Sequence, residues 1–161
     1  MSTAHDLFAE TNPAFGTFAL LGFCRSYLEA AGKDPHVALA YVALPIAMSD
    51  DLDKSFMETS ARTGLLSWLN RYPDIRLELG KRLELSRDVV TSAVRLGLAS
   101  RALRLGVEGT IGPDAAAPTR RPVEKLPSNP KQVIKRAERL GTWMGHSGST
   151  GAVFSAFGVM P

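Results

Sequence analysis

The chain has 161 residues, 45% of them apolar and 22% charged, which is enough length and apolar content to bury a core without disulfides or metal and argues against disorder. Its formal charge of +3 is unevenly spread: up to Ala61 there are three basic and eight acidic residues, a net of −5, and from Arg62 onward sixteen basic and eight acidic, a net of +8. The total attracts polyanions only weakly, so the division matters more, and it suggests unlike faces serving two partners.

The first element is a helix. Asn12-Pro13 supplies a capping side chain and a proline at the first helical position. Phe15, Phe18, Ala19, Gly22, Phe23 and Tyr27 then recur at three- and four-residue spacing, and Gly32 offers the stop. Cys24, the sole cysteine, lies within this run as a core thiol and suits a reducing compartment. Asp6 and Glu10 stand where a signal peptide would carry Lys or Arg, and a cytoplasmic location is expected.

Asp34-Pro35 repeats the start signal for a second helix, apolar almost all round from Val37 to Leu44, which Pro45 should kink or end. The longest uncharged apolar run, Val37 to Met48, falls short of the roughly 20 residues that cross a bilayer. Ser49 to Met57 reads as a short helix or turn, and Gly64 to Tyr72 as a helix with Leu65, Leu66, Trp68 and Leu69. Pro73-Asp74 restarts the chain into Ile75 to Leu83, and Ser86 is expected to cap a further short helix with Val90, Ala93, Val94 and Leu98 inside. Arg87, Thr91 and Arg95 fall on the opposite face of that helix, at i, i+4 and i+8.

Arg101 to Leu105 alternates as a half-buried strand does, Gly106-Val107-Glu108-Gly109 supplies a turn, and Thr110-Ile111 begins a return strand. A short helix followed by a hairpin is the order of a winged helix. The fold class is therefore mainly α with a small β-hairpin, winged-helix-like, with residues 1–114 as that domain. Residues 115–128 form a linker, and residues 129–161 a C-terminal helical segment packing on the same domain. Asn129-Pro130 opens that segment's first helix, with Val133, Ile134, Ala137, Leu140, Gly141 and Met144 inside. Gly148 can stop it, and Ser149 or Thr150 can cap a last helix through Phe157.

Catalytic readings fail on spacing. Gly32-Lys33 and Gly80-Lys81 lack the glycine that a phosphate-cradling loop places five residues earlier. His5, His36 and His146 have no metal-ligand spacing among themselves or with Cys24, and Asp50, Asp51 and Asp53 lack the rest of an oxygen-rich cation loop. Ser147 beside His146 misses the second glycine of a nucleophile elbow and reads as helix-junction grammar. No catalytic residue, metal or cofactor is expected.

Binding readings survive. On a winged helix Arg87, Thr91 and Arg95 would lie on the recognition face, with Arg101 and Arg104 near the wing, all able to meet phosphates of duplex DNA; the alternative is a solvated arginine face. Gly141 and Gly145, one turn apart beside Trp143, make either a seam for a partner or close packing within the chain.

Asn12-Pro13-Ala14-Phe15, the central Ser60-Ala61-Arg62-Thr63-Gly64-Leu65 with Trp68, and Leu140-Gly141-Thr142-Trp143 through Phe154 to Pro161 together resemble the middle-component family of bacterial three-component ABC systems. The resemblance implies an anti-phage or anti-plasmid cassette with an SMC/Rad50-like ABC ATPase and a third, effector-type protein. It implies a non-enzymatic adaptor between the two, with Arg62, Trp68, Gly141, Trp143 and Gly145 as partner-interface candidates. An autonomous winged-helix DNA-binding regulator is the alternative.

Overall fold

The structure is a computed structural model that describes residues 12–118 and 128–159; His5 and residues 119–127 of the expected linker lie outside the described residues. Among the described residues the chain forms α1 (Pro13–Ala31), α2 (Val37–Ala47), α3 (Asp53–Met57), α4 (Leu65–Arg71), α5 (Asp74–Ala99), β1 (Leu103–Leu105), β2 (Ile111–Pro113), α6 (Ser128–Gly145) and α7 (Thr150–Phe157). This is the expected mainly α chain with a small antiparallel hairpin.

Helix α1 begins as its sequence requires: the Asn12 side chain accepts from the Ala14 N–H at 3.0 Å, and Gly32 closes it with φ +75°. It is the central element, packed against α5 and, most extensively, α6. Leu20, Phe23, Cys24 and Tyr27 are buried there.

The contact with α6 depends on Gly141 and Gly145. A Cβ at Gly141 would stand 2.4 Å from the Phe23 carbonyl oxygen, and one at Gly145 would stand 3.0 Å from that of Tyr27. The two backbones therefore touch, and the dispersion gained offsets the roughly 1 kcal/mol by which each glycine disfavours a helix relative to alanine. The glycine seam is internal packing.

Three local expectations are corrected. First, α2 is capped not by Asp34 but by His36, whose Nδ1 accepts from the Ala38 N–H at 3.1 Å. Asp34 instead forms an ion pair with Arg104 at 3.0 Å. Second, no helix starts at Ser86: α5 runs unbroken over 26 residues. Neither glycine nor proline interrupts residues 81–96, Glu78 and Arg82 pair across one turn, and Leu79 and Val90 are buried on either side of the expected break.

Third, Arg101 is not a strand residue. It occupies the left-handed region at φ +63° and ends α5. The Ala102 N–H donates to the Gly97 carbonyl at 2.9 Å and the Arg101 N–H to that of Leu98 at 3.3 Å, a Schellman closure with arginine in place of the usual glycine. The hairpin then pairs Leu103 with Pro113 and Leu105 with Ile111. An Ile111 N–H bond to the Pro35 carbonyl at 2.9 Å and a His36–Thr110 bridge fasten it to the α1–α2 connection.

Candidate docking site

The predicted phosphate-binding set does not form one continuous basic face. Arg87 and Arg95 are exposed on the free side of α5, with no side-chain partner among the described residues. Thr91, between them, is half-buried, and its hydroxyl shares a 2.7 Å hydrogen bond with that of Tyr41 on α2. Arg104 is held by Asp34, and Arg101 is exposed at the end of α5. Lys81, Glu84 and Asp88 are exposed on the same helix, so its outer face carries both signs.

Of the five predicted interface residues, four are interior. Trp68 and Trp143 form a cluster with Phe56: ring centroids lie 5.1 Å apart for Phe56–Trp68 and Trp68–Trp143, and Phe56 stacks on Trp143 at 5.9 Å. Both indoles are fully buried, and both find acceptors. Trp68 donates to the Ser55 hydroxyl at 3.0 Å, and Trp143 to the carbonyls of Ser60 and Ala61 at 3.3 and 3.2 Å. Gly141 and Gly145 face α1. Arg62 alone of the five is on the surface.

The sequence reading missed three arginines that organise this region. Arg136, 4% exposed, donates to the Ala47 carbonyl at 2.8 Å, to Asp53 at 2.9 Å and to Asp50 at 3.0 Å. Arg82 on α5 binds Asp51 at 3.0 Å and the Ser49 hydroxyl at 2.9 Å. That bond to Arg82, opposed in part by burial, holds the Asp51 carboxyl below the usual carboxylate range. Arg139 donates to the Thr59 carbonyl at 3.1 Å and to that of Phe56, with its guanidinium about 6 Å from the Phe56 and Trp143 rings, and burial lowers its pKa. The signal was present for Arg136, which stands three residues after Val133 and four before Leu140, on the inner stripe of α6.

Ser147 donates back to the Trp143 carbonyl at 2.9 Å, while His146 is exposed. Burial first, and the Asp34 carboxylate second, push the Cys24 thiol up, so it stays protonated in the core. No group of three or more His, Cys, Asp or Glu side chains suited to a metal occurs among the described residues. An open apolar groove of about 320 Å³ lies between α1 and the end of α5, lined by Phe18, Leu21, Leu96 and Pro118. Its hydroxyls, Thr17 and Ser100, are bonded to backbone carbonyls. No helix among the described residues is long and apolar enough to cross a membrane.

The protein is mainly helical with a small hairpin, and its buried arginines and tryptophans hold backbone turns in place. Its sequence is more specific. The profile of the ABC-three component (ABC-3C) system Middle Component 3 family matches residues 4–161, and the chain belongs to that family. No curated protein and no solved structure matches it.

Proposed function

We propose that this chain is a non-enzymatic adaptor, cytoplasmic, which bridges an SMC/Rad50-like ABC ATPase and a third, effector-type component in a bacterial anti-phage or anti-plasmid defence complex. The observation that carries the reading is the family match over nearly the whole chain. The physical chemistry is compatible with it, because the buried charged groups are engaged in holding secondary structure together. The deciding experiment is co-expression with the two companion components followed by size-exclusion chromatography, with and without nucleotide. Co-elution with the ATPase is expected; its failure under every nucleotide condition would remove the reading.

Direct contact with duplex DNA is a second reading, favoured by the unpaired, exposed Arg87 and Arg95. It applies to an autonomous regulator or to the assembled complex. Two lost phosphate contacts should lower the salt slope of duplex binding by about two. Titration of Arg87→Ala/Arg95→Ala protein against a salt series tests this, and an unchanged slope would discard the reading.

A further inference from the structure

The groove between α1 and the end of α5 suits an apolar occupant, because its polar side chains are already bonded. The Thr17 hydroxyl donates to the Ala93 carbonyl at 2.8 Å, and that of Ser100 to the Gly97 carbonyl at 3.4 Å. Leu21 and Ala102 line it as buried residues and Phe18 and Pro118 as half-buried ones, while Leu96 is left 37% exposed. The charged groups at its margin are basic. Arg25 on α1 donates to the carbonyl of Pro118 at 2.6 Å, and Arg101 stands exposed between two lining residues, Ser100 and Ala102. Neither is paired with a described carboxylate. Asp114, whose N–H donates to the Ala102 carbonyl at 3.0 Å, has its carboxylate engaged by the Ala116 N–H at 2.9 Å.

The groove begins where α1 begins. Ala14, exposed in the first turn, lines one end, and the lining runs along α1 through Thr17 and Phe18 to Leu21, a length of about 10 Å. Asn12, the capping residue, has an extended backbone, so the chain that leads into it sets out from the mouth of the groove. Residues 1–11 include Asp6-Leu7-Phe8-Ala9-Glu10, an apolar centre with an acid on each side, and contain no Lys or Arg. Phe8 precedes Ala14 by six residues, so it can reach up to about 20 Å from Ala14, farther than the groove is long.

We propose that this groove is the docking site for the chain's own residues 6–10, with Leu7 and Phe8 covering Phe18, Leu21 and Leu96, and with Asp6 and Glu10 facing the guanidinium groups of Arg25 and Arg101. Apolar burial supplies the attraction, since a covered phenylalanine removes about 150–250 Å² from water. Opposite charges at the margin set the direction in which the segment lies. The covalent connection through Asn12 supplies an effective concentration on the order of millimolar, so a contact too weak to join separate molecules is populated within one. The groove is then closed to any other apolar ligand unless residues 6–10 leave it.

The test is cysteine trapping in the full chain, in a buffer containing oxidised glutathione. Phe8→Cys/Ser100→Cys should close an intramolecular disulfide about tenfold faster than Phe8→Cys/Leu85→Cys, whose second site is exposed on the same helix about 22 Å away. Cys24, buried and protonated, does not compete. Adding Asp6→Lys/Glu10→Lys to the first pair should slow its closure, most at low salt. Thermal melting gives an independent reading without cysteines: Phe8→Ala and Leu96→Ala should each lower the midpoint by about 3 °C, and the double variant by less than the sum. Equal closure rates for the two cysteine pairs would overturn the placement, as would strictly additive melting shifts. A disulfide found only between two molecules on a non-reducing gel would overturn it too, and assign the groove to a second copy. No companion protein enters the test, so the adaptor reading stands or falls separately.

Discussion

The outer face of α5 and the inner face of α6 use the same side chain to opposite ends. On α5, Arg87 and Arg95 extend into solvent with no partner among the described residues. On α6, Arg136 is buried and satisfied by one backbone carbonyl and two aspartates. A guanidinium leaves water at reasonable cost only when its donors are met, and the acids that meet it, Asp50 and Asp53, come from the turn after α2 and the first residue of α3. The comparison shows that the division of charge along the chain is in part an internal complementarity. Asp34 pairs with Arg104, Asp51 with Arg82, and Asp50 and Asp53 with Arg136, in every case an acid of the first segment with a base of the second.

That contrast can be broken most directly at Arg136. Replacing it by alanine removes three charge-assisted hydrogen bonds and leaves the Ala47 carbonyl without its donor, and should lower stability by about 3 kcal/mol, read as a shift of the urea midpoint at constant slope. Lysine should restore little of this, because one ammonium cannot span the three acceptors with a fork's geometry. A loss below about 1 kcal/mol for the alanine variant would mean that the buried guanidinium is no anchor.

A smaller effect sharpens the comparison at Arg82. Asp51 has its folded pKa lowered, chiefly by the Arg82 bond. The stability it contributes is thus present above its unfolded pKa of about 3.9 and is lost as pH falls through the lower folded value. Its side chain is 61% exposed, so solvent screening keeps the contribution below about 1 kcal/mol. Melting curves of wild type and Asp51→Asn should differ at pH 7 and converge toward pH 2. A difference independent of pH would contradict the assignment. The smallest effect belongs to the outer face, where Arg87→Ala/Arg95→Ala should leave stability within about 0.5 kcal/mol of wild type by thermal melting.

Much of the fold was legible because its signals are local. The Asn12-Pro13 start, the Gly32 stop, the Ser149 cap and the Gly106–Gly109 turn act over three or four residues, and each is found in place. Ser86 misled because a serine followed by apolar residues is also compatible with a helix interior, and burial of Leu79 and Val90 on one continuous face outweighed it. The Asp34-Pro35 cap was overruled by a hairpin some 70 residues further on, whose Arg104 claimed the carboxylate. Trp68 and Trp143 were partner-interface candidates in the sequence, which gives an aromatic's type and not its neighbours; in the fold they pack on each other.

Residue order by itself determined that this would be a largely helical chain with a small hairpin, divided in charge. Only the tertiary structure decided which arginines face solvent and which face aspartates, and that the glycines of α6 meet α1. Capping and periodicity are properties of adjacent residues, whereas the pairing of a charge is settled by whichever group packing brings within about 3 Å of it.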